Sequence, residues 1–440
     1  MGIDFLGEFS QESCFIFFTI GILFYNLRSL LIGKSKIYIN QINYKILLLF
    51  ITICLICTLT NILSVISNYF KHTNGIVRFI KQYLVLIYFG YFFVLYGYSV
   101  LKQYTLPSIL HKIRRVFLYC FILMWIYTIL EVLIVIFNYN QLIPVINLFD
   151  YLPFVDVRLD FKYARISSIS FEPPFLAIYL ITISGWMYSY IITNKGVTKF
   201  IPALSVLIMA FLSGSRTMLV VMIIQLFVFL MLLFRLAQYR KYFVYFVTIC
   251  GSLFLLTILI SGGSVLTSIS KKIETLNFTE NLTKSISNKS RFGMQYANFQ
   301  VFKDNPITGV GFGQQAYHNR VYYPEWATKN NYEFELWYLN ENEKSFPPGY
   351  NLYIRLLAET GIIGFIFFIT FISLTLYQLN RIISNSTESE RAIAIILFIS
   401  FVGFYINWLQ VDTFRIFGFW VCISILFTLI THRRTKNINI

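Results

Sequence analysis

Runs of about twenty consecutive apolar residues recur along the chain, and no other feature limits its fold so severely. A hydrocarbon core about 30 Å thick is crossed by a helix of roughly 20 residues. Such runs fall near 12–31, 46–66, 79–101, 116–137, 173–193, 199–213, 217–234, 242–261, 352–379, 391–411 and 416–431. The sixth is short, and a re-entrant piece is the alternative to a full crossing there. Lipid offers the backbone no hydrogen bonds, and a helix satisfies its own within one segment. The expected fold is therefore an all-α polytopic membrane protein with about eleven transmembrane helices. Composition agrees: 57% of the 440 residues are hydrophobic and 13% charged. A soluble chain of this length would form two or three domains.

A net charge of +16 would suit a nucleic-acid binder, but its distribution argues against one. The cations cluster in alternate short loops: Arg28, Lys34, Lys36 and Lys45; Lys112, Arg114 and Arg115; Lys195 and Lys199. The series continues with Arg235, Arg240 and Lys241, then Arg381 and Arg391, and ends with Arg433, Arg434 and Lys436. The N-terminal segment carries Asp4, Glu8 and Glu12 instead. Positive loops stay cytoplasmic, so the N-terminus is expected outside and the C-terminus inside, which needs an odd number of spans. With an acidic start, no cleavable signal peptide with a positive n-region is expected. Cys14, Cys54, Cys57, Cys120, Cys250 and Cys422 all fall within spans, away from any loop disulfide or solvent-facing zinc site. No metal or other cofactor is expected. Asn-x-Ser/Thr triplets start at Asn277, Asn281, Asn288 and Asn385, the last in an expected cytoplasmic loop.

Two long connections break the pattern, at about 138–172 and 262–351, and the topology puts both on the non-cytoplasmic side. The chain therefore divides into residues 1–261 with eight helices, the large loop 262–351, and residues 352–440 with three more helices. Loops this long are functional or disordered. The second holds Tyr317, Tyr322, Tyr323, Trp326, Tyr332, Trp337 and Tyr338 among polar residues, which a disordered segment would not. Flat aromatic faces beside hydrogen-bonding groups suit sugar rings; a cap folded on itself would look similar. Residues 290–303 read as an amphipathic helix between membrane and water. Arg291, Gln295 and Asn298 share one face, while Phe292, Tyr296, Phe299 and Phe302 share the other. Asp304-Asn305-Pro306 stops it. The glycine-rich Gly309–Gly313 that follows lacks the P-loop lysine, so it reads as a close-approach turn.

Several charges sit at expected membrane edges. Ser213-Gly214-Ser215-Arg216-Thr217 lies between two apolar runs, where an arginine needs water or an anion. Three hydroxyls and a helix N-terminus make it a candidate phosphate site, or else a tight hairpin with a snorkelling arginine. Arg165 and Glu172 close the first long loop. Arg355 and Glu359 are i, i+4 neighbours, as a helix-stabilising ion pair would be. Glu131, about two turns inside a span, is either functional or a carboxyl reaching for the interface. His318 is the one histidine in the large loop; His72, His111 and His432 lie elsewhere.

Three separated segments resemble the bacterial O-antigen polymerase and O-antigen ligase superfamily: Phe211–Leu219 (FLSGSRTML), Arg291–Gly313 (RFGMQYANFQVFKDNPITGVGFG) and Asn351–Gly364 (NLYIRLLAETGIIG). Ala164–Ala177 (ARISSISFEPPFLA) resembles the superfamily's Arg-x-x-x-x-Phe-x-x-Pro stretch. Order, spacing and expected location agree over roughly residues 160–365. The resemblance implies a glycosyltransferase C-like membrane fold and glycan transfer from undecaprenyl pyrophosphate at the periplasmic face of the inner membrane. Arg165, Arg216 and Arg291 would then clamp the pyrophosphate, with Arg291 also serving catalysis. Glu172, Glu359 or His318 would be the general base, and the sequence does not choose among them. Tyr350, Asn351, Tyr317 and Trp326 would contact glycan. Ligases of the superfamily carry His-Asn where this chain has Tyr350-Asn351, which favours a polymerase whose donor and acceptor are both lipid-linked oligosaccharides. A chain-length regulator is the implied protein partner. The rivals are a ligase acting on lipid A-core and, from another class, a flippase; a nearly charge-free midplane and the lack of a repeat speak against the flippase.

Overall fold

The computed structural model describes residues 14–32, 38–152, 155–161, 164–170, 172–261, 270, 286–343 and 345–438. The acidic residues Asp4, Glu8 and Glu12, the basic Lys34 and Lys36, the triplets at Asn277 and Asn281, and the start of the large loop lie outside them. Each apolar run falls on a helix: α1 (Cys14–Ile32), α2 (Ile42–Thr60), α3 (Gly75–Leu101), α4 (Leu106–Val135), α5 (Pro173–Thr193), α6 (Ile201–Leu212), α7 (Arg216–Arg235) and α8 (Arg240–Ser261). Helix α9 (Ile286–Asp304) precedes α10 (Leu352–Ser384), α11 (Glu388–Asn407) and α12 (Phe417–Ile438). Seven of these (α2, α3, α4, α5, α7, α10 and α11) are long and apolar enough to cross a membrane, and α1 and α6 are shorter apolar helices. The chain is an all-α polytopic membrane protein. Among the described residues the only strands form a hairpin, Tyr69–Phe70 with Thr73–Asn74, whose turn residues Lys71 and His72 both have positive φ.

The chain forms two compact units. The first comprises Met1–Ile3, Tyr104–Asn277 and Leu379–Phe404; the second comprises Asp4–Gln103, Phe278–Gln378 and Tyr405–Ile440. In the first unit α5 is buried almost along its whole length. Gln225 of α7 donates to the carbonyls of Ile181 on α5 and Ile399 on α11, at 3.1 and 3.0 Å. In an apolar surround such an amide holds three helices together. The first long connection folds back on α4, where Tyr127, Ile134 and Ile146 form a small core with Phe149, Val157 and Ile169.

In the second unit α10 is broken. Gly361 has φ 60° and ψ −163°, a conformation essentially reserved for glycine. The break leaves two carbonyls, of Ala358 and Glu359, and two amides, of Ile362 and Ile363, without their helical partners. The 306–311 segment supplies all four: Val310 N donates to Ala358 O at 3.0 Å and Gly311 N to Glu359 O at 2.9 Å. Ile362 N and Ile363 N donate in turn to Pro306 O and Ile307 O at 2.9 and 3.4 Å. A Cβ on Gly309 would stand 2.5 Å from Ala358 O, so only glycine lets the two backbones meet. Gly309–Gly313 is thus a close-approach turn that pairs with a helix.

Helix α9 packs its small and polar face inward. Gly293, Met294, Ala297, Asn298 and Val301 are buried, while Tyr296 and Phe299 are exposed. Asn298 belongs to a buried network: Asn319 Nδ2 donates to Asn298 Oδ1 and Gln315 Oε1, and Tyr338 OH donates to Asn319 Oδ1. Among the described residues the network leaves Asn298 Nδ2 without a partner, and it gives the large loop a polar core of its own.

Candidate functional site

The second unit holds two arginines in contrasting surroundings. Arg355, in the first turn of α10, is buried; its Nε lies 3.0 Å from Glu359 Oε1. Its Nη1 donates to Asp412 O at 2.7 Å and lies 3.5 Å from Asp412 Oδ2. Gln82 Oε1 accepts from Nη2 at 3.5 Å. Two carboxylates therefore face this guanidinium. Glu359 is 0% exposed, and its Oε2 accepts no hydrogen bond among the described residues. The i, i+4 spacing read from sequence does make an ion pair.

Arg291, on α9, is half-buried. Its Nη1 donates to Gln410 Oε1 at 2.8 Å, and its guanidinium lies over the Tyr350 ring, 5.7 Å from the centroid. Among the described residues it makes no ion pair. A partly desolvated guanidinium facing a neutral amide and an aromatic face keeps its charge for a further anion. Tyr350 has φ 54°, and its hydroxyl donates to Glu333 Oε2 at 3.3 Å. Burial and then the Glu333 charge push that phenol's pKa upward, so it stays a donor. Asn351 caps α10: its Oδ1 accepts from Tyr353 N at 3.0 Å and Ile354 N at 3.2 Å, while Nδ2 reaches Gln295 Oε1 at 3.4 Å. Capping alone accounts for an asparagine at this position.

The remaining candidates of the large loop are dispersed. Tyr317 donates to Thr73 O at 3.1 Å and packs on Phe346. His318, its neighbour on the short helix Gln315–His318, has Nε2 3.3 Å from Asn68 Nδ2. That amide also donates to Gln314 Oε1, so His318 Nε2 is the acceptor and its lone pair is engaged. Burial lowers the imidazole's pKa, keeping it neutral. Trp326 is exposed on the short helix Glu325–Thr328, whereas Tyr323 and Tyr338 pack against each other and Phe334. Part of the aromatic wealth is thus the cap's own core, and Trp326, Tyr322 and Tyr332 remain on its surface.

In the first unit residues 213–215 form the turn between α6 and α7. Gly214 has φ 64°, and Ser215 caps α7, its side chain accepting from Met218 N at 3.4 Å. Arg216 begins α7 and is half-buried. The Arg165 stem packs on this turn, its Cγ 3.4 Å from where a Cβ on Gly214 would stand. Glu172, at the N-cap of α5, is exposed and makes no cap hydrogen bond. Glu131 is 0% exposed: Oε1 accepts from Ser167 N at 2.9 Å and Ser167 Oγ at 3.3 Å, and Oε2 from Ser168 N at 2.8 Å.

Gln410, Asp412 and Gln82, which touch the two arginines of the second unit, were not singled out by sequence. The signal lay in Gln410-Val-Asp412, polar residues in the short connection between α11 and α12.

A family model described as O-antigen ligase matches residues 201–369, consistent with the O-antigen polymerase and ligase superfamily. Members of that family are enzymes acting on lipid-linked glycans. The match takes in Arg216, Arg291, Tyr350, Asn351, Arg355 and Glu359, and leaves Arg165, Glu172 and Asp412 outside. No curated protein matches the chain.

Proposed function

We propose that this protein polymerises undecaprenyl-pyrophosphate-linked repeat units into O-antigen or a related surface polysaccharide at the periplasmic face of the inner membrane. The observation that carries the reading is Arg291, a half-buried guanidinium whose nearest partners are the neutral Gln410 and the Tyr350 ring. In the transfer an acceptor hydroxyl oxygen attacks the anomeric carbon of the donor. The bond from that carbon to the pyrophosphate oxygen breaks, and the leaving group gathers negative charge. Such a leaving group needs fixed cations more than a proton. Arg165, Arg216 and Arg291 are the cations we assign to pyrophosphate oxygens. Arg355 is excluded from that role because Glu359 and Asp412 already face it.

The proton of the acceptor hydroxyl goes to Glu172 in this reading. Its carboxylate is exposed, whereas Glu359 is sealed and the Nε2 lone pair of His318 is engaged. Tyr350, Asn351, Tyr317 and Trp326 are assigned to the glycan side, with Trp326 the most accessible ring among them. A periplasmic N-terminus, a cytoplasmic C-terminus and a chain-length regulator as partner belong to the same proposal.

The matched family's description favours a second reading, ligation of finished glycan onto lipid A-core. Tyr350 supports the polymerase, because it stands where the resembling ligases carry histidine. Deletion followed by electrophoresis of the surface glycan separates them. Loss of a polymerase leaves core capped by one repeat unit. Bare core, the result of losing a ligase or a flippase, would overturn the polymerase.

A further inference from the structure

Arg165 is an exposed residue in a loop, and an exposed arginine grips an anion well only if its backbone is held. The stretch 164–168 is unusual in this respect. Ala164 has φ 48° and Ser168 φ 55°, left-handed conformations that side chains other than glycine rarely adopt. Between them, Arg165 forms an isolated antiparallel bridge with Asp160. Such geometry persists only where the surroundings over-determine it. The surroundings here are Glu131. Its fully buried carboxylate takes the backbone N–H groups of Ser167 and Ser168 at 2.9 and 2.8 Å and the Ser167 hydroxyl at 3.3 Å. Ser168 Oγ donates to Met124 O at 3.1 Å, about two helical turns before Glu131 on α4. A carboxylate has acceptor capacity on both oxygens, which suits two adjacent amides better than any neutral side chain does.

We infer that Glu131 is a positioning residue: buried in α4, it clamps the 166–168 backbone and thereby sets Arg165 against the Gly214 turn from which Arg216 emerges. The inference rests on the pyrophosphate role proposed for Arg165. Glu131 touches no substrate in this scheme. It acts on the reaction through Arg165 alone.

The test is a double-variant cycle in the full-length protein, in membranes, with lipid-linked repeat units as substrate. Glu131→Gln keeps the shape but turns one acceptor oxygen into a donor facing a backbone N–H. An apparent KM raised about tenfold or more, with membrane protein level and thermal midpoint retained, is the expected result, since small misplacements of a binding group cost that much. In an Arg165→Ala background the same change should add nothing further, because what it positions is gone. If Glu131→Gln is silent where Arg165→Ala is not, or if the two losses multiply, the inference is overturned. A silent Arg165→Ala would instead remove the pyrophosphate role of Arg165, whatever Glu131 does. Glu131→Asp, which keeps the charge and withdraws it by one methylene, replaces the glutamine variant if the latter does not accumulate. Should neither accumulate, Glu131 is a folding anchor only and the positioning role falls.

Discussion

Arg291 and Arg355 carry the same charge into the same unit and are treated in opposite ways. Removing one partner of a buried, hydrogen-bonded ion pair strands the other, at about 3–5 kcal/mol. Arg355→Ala should therefore lower the thermal midpoint and the amount of protein in the membrane, because Glu359 is sealed with it. Arg291 has no carboxylate to strand among the described residues. Arg291→Ala should leave protein level and thermal midpoint near wild type while abolishing chain growth, and full-length chains from it would end its phosphate role. Arg291→Lys, which keeps the charge without the bidentate fork, should recover only part of the activity. Sequence flagged both arginines, but it could not sort them. The sorting depends on Gln410 and Asp412, more than fifty residues further along the chain than Arg355.

At the scale of elements, the break in α10 matters most. A spanning helix normally keeps its backbone hydrogen bonds to itself; here four groups are handed to the 306–311 segment. Gly361→Ala should be strongly destabilising, with about 1–3 kcal/mol from the backbone conformation alone and more from the Ile307 carbonyl that a Cβ would strike. Thermal unfolding in detergent should show it, and a midpoint equal to wild type would mean that the break is not maintained. The glycine-rich turn was legible as a close approach because glycines clustered after Asp304-Asn305-Pro306. What it approaches was not, since a glycine inside an apolar run looks like any other small residue of a membrane helix. Helix α9 was likewise legible as a helix, but the face it buries, with Gly293, Met294, Ala297 and Val301, is not the one the sequence pattern marked. Of the polar face only Asn298 turns fully inward, where Asn319 donates to its Oδ1, while Arg291 and Gln295 stay half-buried.

For the whole molecule, the distribution of basic loops predicts an N-terminus outside and a C-terminus inside. Reporter fusions active only in the periplasm should work at the N-terminus and after residue 320, and fail at the C-terminus; an active C-terminal fusion would reverse the topology and with it the side proposed for the reaction. The helices themselves were determined by the sequence, because each apolar run needs only itself to satisfy its backbone in lipid, and every run lies on a helix. The motif residues were determined too, since residue type and local spacing are properties of the chain. Their chemical states were decided by the tertiary structure. Whether a guanidinium is neutralised, a carboxylate sealed or an aromatic face spent on packing depends on what folds against it. Those partners come from distant segments whose approach leaves no local mark: Asp412 against Arg355, Ser167 and Ser168 against Glu131, Asn68 against His318.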